Sequence, residues 1–177
     1  MICIQEVVGS NPISSTISYH KPVSDCQKWF RFMDRANDAY ALMAAGKMNC
    51  SQAILTAYCE QFGLERGLAL RLAQGFGGGM GRTGRTCGAV TGAYIVLGLA
   101  QKTLSRETLD RTYELMHKFD LEFEALHRSL KCKELIGYNL STAEGLAEAR
   151  SKKVFTSVCP DFVRDAATIL ESLLQSD

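Results

Sequence analysis

Proline is scarce and net charge is almost absent. Three prolines in 177 residues exclude collagen-like and proline-rich disordered chains. Lysine plus arginine totals 20 and aspartate plus glutamate 19, a formal charge of +1. That balance removes the bulk electrostatic case for nucleic acid or an anionic membrane surface. Long apolar runs are missing as well. The longest, from Ala89 to Ala100, is broken by Thr91 and falls short of the ~20 residues a spanning helix needs. It predicts a buried helix, not membrane insertion. The opening MICIQEVVGSNP lacks the basic and apolar regions of a signal peptide, so the expected compartment is the cytoplasm. No CxxC pair occurs, which removes the close cysteine spacing of common zinc and ferredoxin sites.

What is present is an ordinary globular composition, 46% hydrophobic and 22% charged, with 15 glycines and seven cysteines. The length suits one domain. Residues 1–24 read as an N-terminal arm or irregular lead-in, and residues 25–177 as a helical domain. Asp25 is a fitting N-cap for a helix whose apolar positions run Trp29, Met33, Ala36, Tyr40 and Met43 up to Gly46. Asn49 can cap a helix over Cys50–Phe62, and a third runs from about Glu65 to Gly75. A glycine-rich loop precedes a helix over Cys87–Leu99. Ser105 opens the longest helix, with Leu109, Thr112, Met116, Phe119, Phe123, Leu126 and Leu130 at spacings of three and four. A short helix over Cys132–Ile136, a polar one over Thr142–Val154 and a last one from Cys159–Pro160 follow. No segment alternates as a strand would. The expected fold is all-α, a single-domain bundle of about six to eight helices.

Four cysteines share a position. Cys50, Cys87, Cys132 and Cys159 each stand at the start of an expected helix. Unpaired N–H groups and the helix dipole favour a thiolate there, and equally a metal-bound thiolate or an anionic iron–sulfur cluster. Their spacings of 37, 45 and 27 residues mean that only tertiary structure can bring them together. Cys59 lies nine residues after Cys50 and faces the other way on one straight helix. Cys3 sits in the arm, and Cys26 has no partner nearby in sequence. An odd number of thiols cannot pair completely, and a reducing compartment disfavours standing disulfides. Three readings stay open on these grounds: inert buried cysteines, shared metal or cluster ligation, and exchange-active thiols.

The segment GFGGGMGRTGRTCG holds six glycines between Gly75 and Gly84. Gly79 to Gly84 fits GxGxxG, but no strand precedes it, so a dinucleotide fold is not expected. Glycines let backbone approach a bulky group and point N–H groups at it. Gly78, Gly79 and Gly81, with Arg82, Arg85 and Gly88, are therefore candidate contacts to a bound group. The two arginines could lower a thiol pKa, offset cluster charge or meet an anionic partner. Gly88 and Gly92 share a helix face, which favours close helix packing. His117 and His127 form no HExxH pair and read as surface or helix-end residues; no GxSxG supports a hydrolase.

NCSQAILTAY, GFGGGMGRTGRTCGAVTGAYIVLGL, LKCKELIG and VCPDFVRDAATIL, in this order, resemble the redox-active family named for four cysteines and a CGAxxG motif (C_GCAxxG_C_C). The likeness runs from about Ala36 to Leu174. It places the family's cysteines on Cys50, Cys87, Cys132 and Cys159, and the motif on Cys87, Gly88, Ala89 and Gly92. It implies redox activity, and a related domain occurs beside haem in a split-Soret-type cytochrome that also carries an iron–sulfur centre. From this resemblance the expected function is electron transfer or redox sensing by an iron–sulfur cluster on the four cysteines. The alternatives are a metal-free thiol–disulfide protein and a zinc-stabilised binding module. The implied partner is another redox protein, and the apolar helix faces also allow a homodimer.

Overall fold

Eight helices carry the fold in the computed structural model, which describes residues 34–175. They are α1 (Arg35–Ala44), α2 (Cys50–Tyr58), α3 (Arg66–Ala73), α4 (Gly88–Leu99), α5 (Arg106–His127), α6 (Cys132–Ile136), α7 (Ala143–Ser151) and α8 (Cys159–Gln175). Shorter helical turns cover Cys59–Phe62, Gln74–Phe76, Gly77–Met80 and Val154–Ser157. Among the described residues there is no strand, only an isolated antiparallel bridge between Thr86 and Lys131. The fold is all-α, as expected. The arm over 1–24, the helix start at Asp25, Trp29, Met33, Cys3 and Cys26 lie outside the described residues.

Local sequence explains most of the boundaries. Asn49 caps α2 through a reciprocal box: its Oδ1 accepts from Gln52 N at 3.0 Å, and Gln52 Oε1 accepts from Asn49 N at 3.1 Å. Ser105 does the same for α5 with Thr108. Gly46, Gly63 and Gly137 end their helical segments in the left-handed region, where a missing Cβ removes the steric cost. The polar helix expected over Thr142–Val154 is shorter: it stops at Ser151, and Lys153 turns left-handed before Val154 starts a separate turn.

α4 lies at the centre of the core. Eight of its twelve residues are buried, including Val90, Val96 and Leu97, as its nearly all-apolar sequence requires. Its close partner is α2. A Cβ on Gly92 would stand 2.9 Å from Ile54 Cβ, so the two helices meet with almost nothing between them. α8 packs along α1 and also touches α2, α4 and α5. The Tyr58 hydroxyl donates to Ala167 O at 2.9 Å inside the core and pins α2 to α8. Burying Ile54, Leu55, Leu97 and Leu170 completely contributes ~1.5–3 kcal/mol for each side chain.

The buried stripe of α5 departs from the expected one. Leu115, Phe119 and Phe123 are buried, a run of strict fours, whereas Leu109 and Leu126 are 42% and 61% exposed. Only one narrow side of this helix faces α4 and α8. Leu109 and Leu126 fall off that line although a wider apolar face would include them.

Candidate redox centre

The four helix-starting cysteines meet in the interior. Cys50 and Cys159 are the first residues of α2 and α8, Cys132 is the first of α6, and Cys87 is the N-cap of α4. All are buried free thiols. The Cys50 side chain lies near enough to those of Cys159 and Cys87 for both to act on its acidity. Cys132 lies close enough to feel the charges of Cys87 and Cys159.

Two backbone devices create this meeting. The strand-like step before α4 pairs with the one before α6. Cys87 N donates to Leu130 O at 2.8 Å, Cys132 N donates to Arg85 O at 2.7 Å, and Lys133 N donates to Gly84 O at 3.2 Å. This clasp sets two helix starts side by side across 45 residues of sequence. The second device is close approach. A Cβ on Gly88 would lie 3.0 Å from Cys50 Cβ and 3.0 Å from Ser51 N, so only glycine lets α4 sit against Cys50.

The glycine segment folds as a left-handed turn. Gly78, Gly79, Met80, Gly81 and Arg82 have φ of 63°, 67°, 62°, 66° and 66°. A Cβ on Gly79 would come within 2.6 Å of Cys132 Cβ and 2.7 Å of Arg85 O. Gly79 is thus required twice, by its dihedral and by the thiol it touches. The N–H groups of this turn are largely spent internally. Arg82 N donates to Gly77 O, Gly84 N to Gly78 O and Arg85 N to Gly79 O, and Gly81 N donates to Gly77 O. The N–H groups that act on the acidity of Cys87 are instead those of the first turn of α4. Those of Gly88, Ala89 and Val90 favour the Cys87 thiolate electrostatically, without capping the helix through a hydrogen bond to its sulfur.

The thiols differ in acidity for identifiable reasons. Cys87 is lowered from the ordinary thiol value. The chief cause is the neighbouring Cys50 thiol; burial opposes, and the three α4 N–H groups assist. Cys50 is raised, by the side chains of Cys159 and Cys87 and then by burial. Cys132 is pushed up to about 12, by burial first and then by the charges of Cys87 and Cys159. Arg82 and Arg85 are exposed, and neither guanidinium is among the main causes acting on Cys87. Cys59 stands apart: it is fully buried, its thiol donates to Thr56 O at 3.4 Å, and burial raises its pKa.

Among the described residues, no three or more His, Cys, Asp or Glu side chains are arranged to hold a metal ion. An all-thiolate donor set suits zinc, with Zn–S bonds of ~2.3 Å, as well as iron–sulfur chemistry. The donor set itself is all sulfur, buried and next to helix N-termini, which suits an anionic iron–sulfur group larger than a single ion.

Leu130 O and Arg85 O, which build the clasp, leave no side-chain signal in the sequence. His127 is the last residue of α5, one of the positions expected for it. It lies between Phe123 and Phe162, with ring centroids at 4.6 and 4.9 Å, and its Nε2 is 3.2 Å from Asp165 Oδ2. His117 is exposed, as expected.

Fold and site together define a helical protein with a buried four-thiol centre at converging helix starts. The chain belongs to the family described as "Putative redox-active protein (C_GCAxxG_C_C)", whose profile matches residues 48–173. A general redox role follows from that membership. No curated protein and no solved structure matches the chain. Among the described residues, no helix is long and apolar enough to cross a membrane.

Proposed function

We propose that the protein transfers electrons, or senses redox state, through an iron–sulfur cluster held by Cys50, Cys87, Cys132 and Cys159. The observation that carries this reading is the meeting of four buried thiols from four separate helix starts, near enough to act on one another's acidity. Such a cluster would supply one-electron chemistry at a potential set by its charge, hydrogen bonding and burial. The chain's own part is electrostatic. The N-termini of α2, α4 and α8 offset negative charge, the first N–H groups of α4 favour the Cys87 thiolate, and all four thiols are buried. Arg82 and Arg85, exposed on the neighbouring turn, suit an acidic redox partner protein. Anaerobic purification followed by iron, zinc and sulfide analysis tests the reading. A brown protein with iron, sulfide and visible charge-transfer bands is expected. A colourless protein with four titratable thiols at the site and no sulfide would reject it.

A second reading has its own observation, the unequal pair Cys50 and Cys87. Cys87 is lowered and its neighbour Cys50 raised from the ordinary thiol value. In this reading the Cys87 thiolate attacks one sulfur of a partner disulfide and displaces the other as a thiolate. Cys50 then gives up its proton and attacks Cys87 Sγ, which releases the partner's second sulfur. The protein gains a Cys50–Cys87 disulfide, and the partner leaves with two electrons as a dithiol. Colour separates the readings, because the thiol form absorbs no visible light.

A further inference from the structure

A cavity of about 510 Å³ opens beside the thiol centre, and Cys50 lines it. That volume is within the usual ~300–1,000 Å³ range for small-molecule sites. Its apolar lining comes from Met43, Met48, Leu140, Leu146 and Phe155. Arg82 and Arg150 also line it, and among the described residues no carboxylate does. Neither arginine has an ion-pair partner among the described residues.

Arg82 is held there at a conformational cost. Among the described residues it is one of four non-glycine residues with positive φ, at 66°, a region that L-residues rarely adopt. Its side-chain stem runs across Gly78, where a Cβ would lie 3.0 Å from Arg82 Cγ and 3.3 Å from Leu140 Cδ1. The left-handed turn thus lays the arginine stem beside Leu140 on the cavity wall. Strained backbone that aims a charged side chain at a cavity is a mark of a binding site.

We infer that this cavity binds a small organic anion with an apolar body and delivers it to Cys50. The guanidinium groups take the anionic end, the methionine and phenylalanine side chains take the body, and the thiol centre is met at Cys50. This names a substrate class for the proposed redox site, and in that respect it rests on the redox reading.

The test uses the reduced full-length chain after chelation, labelled with two aryl disulfides. Dithiobis(nitrobenzoate) is a dianion and dithiodipyridine is neutral. In each case one thiol displaces one arylthiolate and keeps the other as a mixed disulfide, and peptide mapping reads the rate at Cys50. Substituting Arg82→Gln and Arg150→Gln together is expected to slow labelling of Cys50 by the dianion about tenfold. The rate with the neutral probe should stay unchanged, and Arg82→Lys with Arg150→Lys should restore the dianion's rate. Added salt should reduce the dianion's advantage. An equal fall with both probes, or a Cys50 that neither probe labels until the chain is unfolded, would overturn the inference. Metal and sulfide analysis of untreated protein decides the redox reading separately. A charge-dependent Cys50 label in a protein that holds no cluster would leave the cavity standing and that reading rejected.

Discussion

Cys87 and Cys59 are both buried thiols, and their neighbours give them opposite expected sensitivities. The Cys50 thiol and the first N–H groups of α4 lower the pKa of Cys87, whereas Cys59 donates to a single carbonyl and is raised by burial. Serine matches cysteine closely in size, so cavity effects are small at either position. Cys87→Ser is expected to abolish redox activity with helicity retained, because a hydroxyl stays protonated where the thiolate was needed. Cys59→Ser keeps a donor for Thr56 O and should leave activity nearly intact. Circular dichroism with a redox titration of both variants checks this; an active, folded Cys87→Ser protein would reject both thiolate-based readings. Asp120 supports a pH prediction. Burial raises its carboxyl pKa, and the Tyr94 hydroxyl that donates to it offsets this only in part, with His117 assisting. A carboxyl raised in the folded state binds its proton more tightly there than when unfolded. The resulting stability is present below the unfolded value of ~4 and is lost as pH rises through the folded pKa. Asp120→Asn leaves Tyr94 an acceptor and removes the titration. Urea midpoints of wild type minus variant should therefore fall from about pH 4 upward and then level off. A flat difference across that range would show that Asp120 carries no such shift.

At the scale of elements, the helices were largely legible because their signals are local. Asn49, Ser105, Gly46, Gly63 and Gly137 act as caps or stops through their own backbone preferences. The glycine segment was legible as non-repeating backbone but not as a left-handed turn. Nothing in one sequence says that Met80 and Arg82 will share the dihedrals of Gly78, Gly79 and Gly81. The face of α5 was misread at Leu109 and Leu126 because burial depends on where α4 and α8 lie, not on apolar spacing alone. The clasp between Arg85–Cys87 and Leu130–Cys132 was invisible, being made wholly of backbone. These elements give two graded expectations. Asn49→Ala removes the cap of α2 and the bond from Asn49 Nδ2 to Gln74 O at 3.1 Å. It should cost about 1–2 kcal/mol in urea unfolding. Gly79→Ala should cost more, above ~2 kcal/mol, since the new Cβ is strained in its dihedral and collides with Cys132 and Arg85 O. Equal losses for the two variants would mean that the turn yields easily and does not set the position of Cys132.

Over the whole molecule, the sequence singled out the four thiols by their helix-start positions, and the fold shows how distant positions become neighbours. Cys50, Cys87, Cys132 and Cys159 are spread over most of the described chain, and each opens a different helix. Whatever joins them therefore ties α2, α4, α6 and α8 together at one end. The two readings tie them differently. A group bound by all four thiols stabilises the folded state by mass action, because the unfolded chain does not present them together. A Cys50–Cys87 disulfide instead closes one loop of 37 residues, which loop-closure entropy makes worth about 4 kcal/mol before any native strain. Thermal melts of the anaerobically purified protein distinguish these linkages. For the cluster, the midpoint should fall on chelation, and loss of any one of the four cysteines should remove most of the difference. For the disulfide, the midpoint should rise on mild oxidation and be indifferent to chelator. Cys132→Ser and Cys159→Ser should then leave the rise intact, while Cys50→Ser and Cys87→Ser abolish it. The dependence on Cys132 is the decisive readout. It belongs to the four-thiol centre and has no part in the two-thiol exchange, so chelator-sensitive stability that survives Cys132→Ser would count against a cluster on all four.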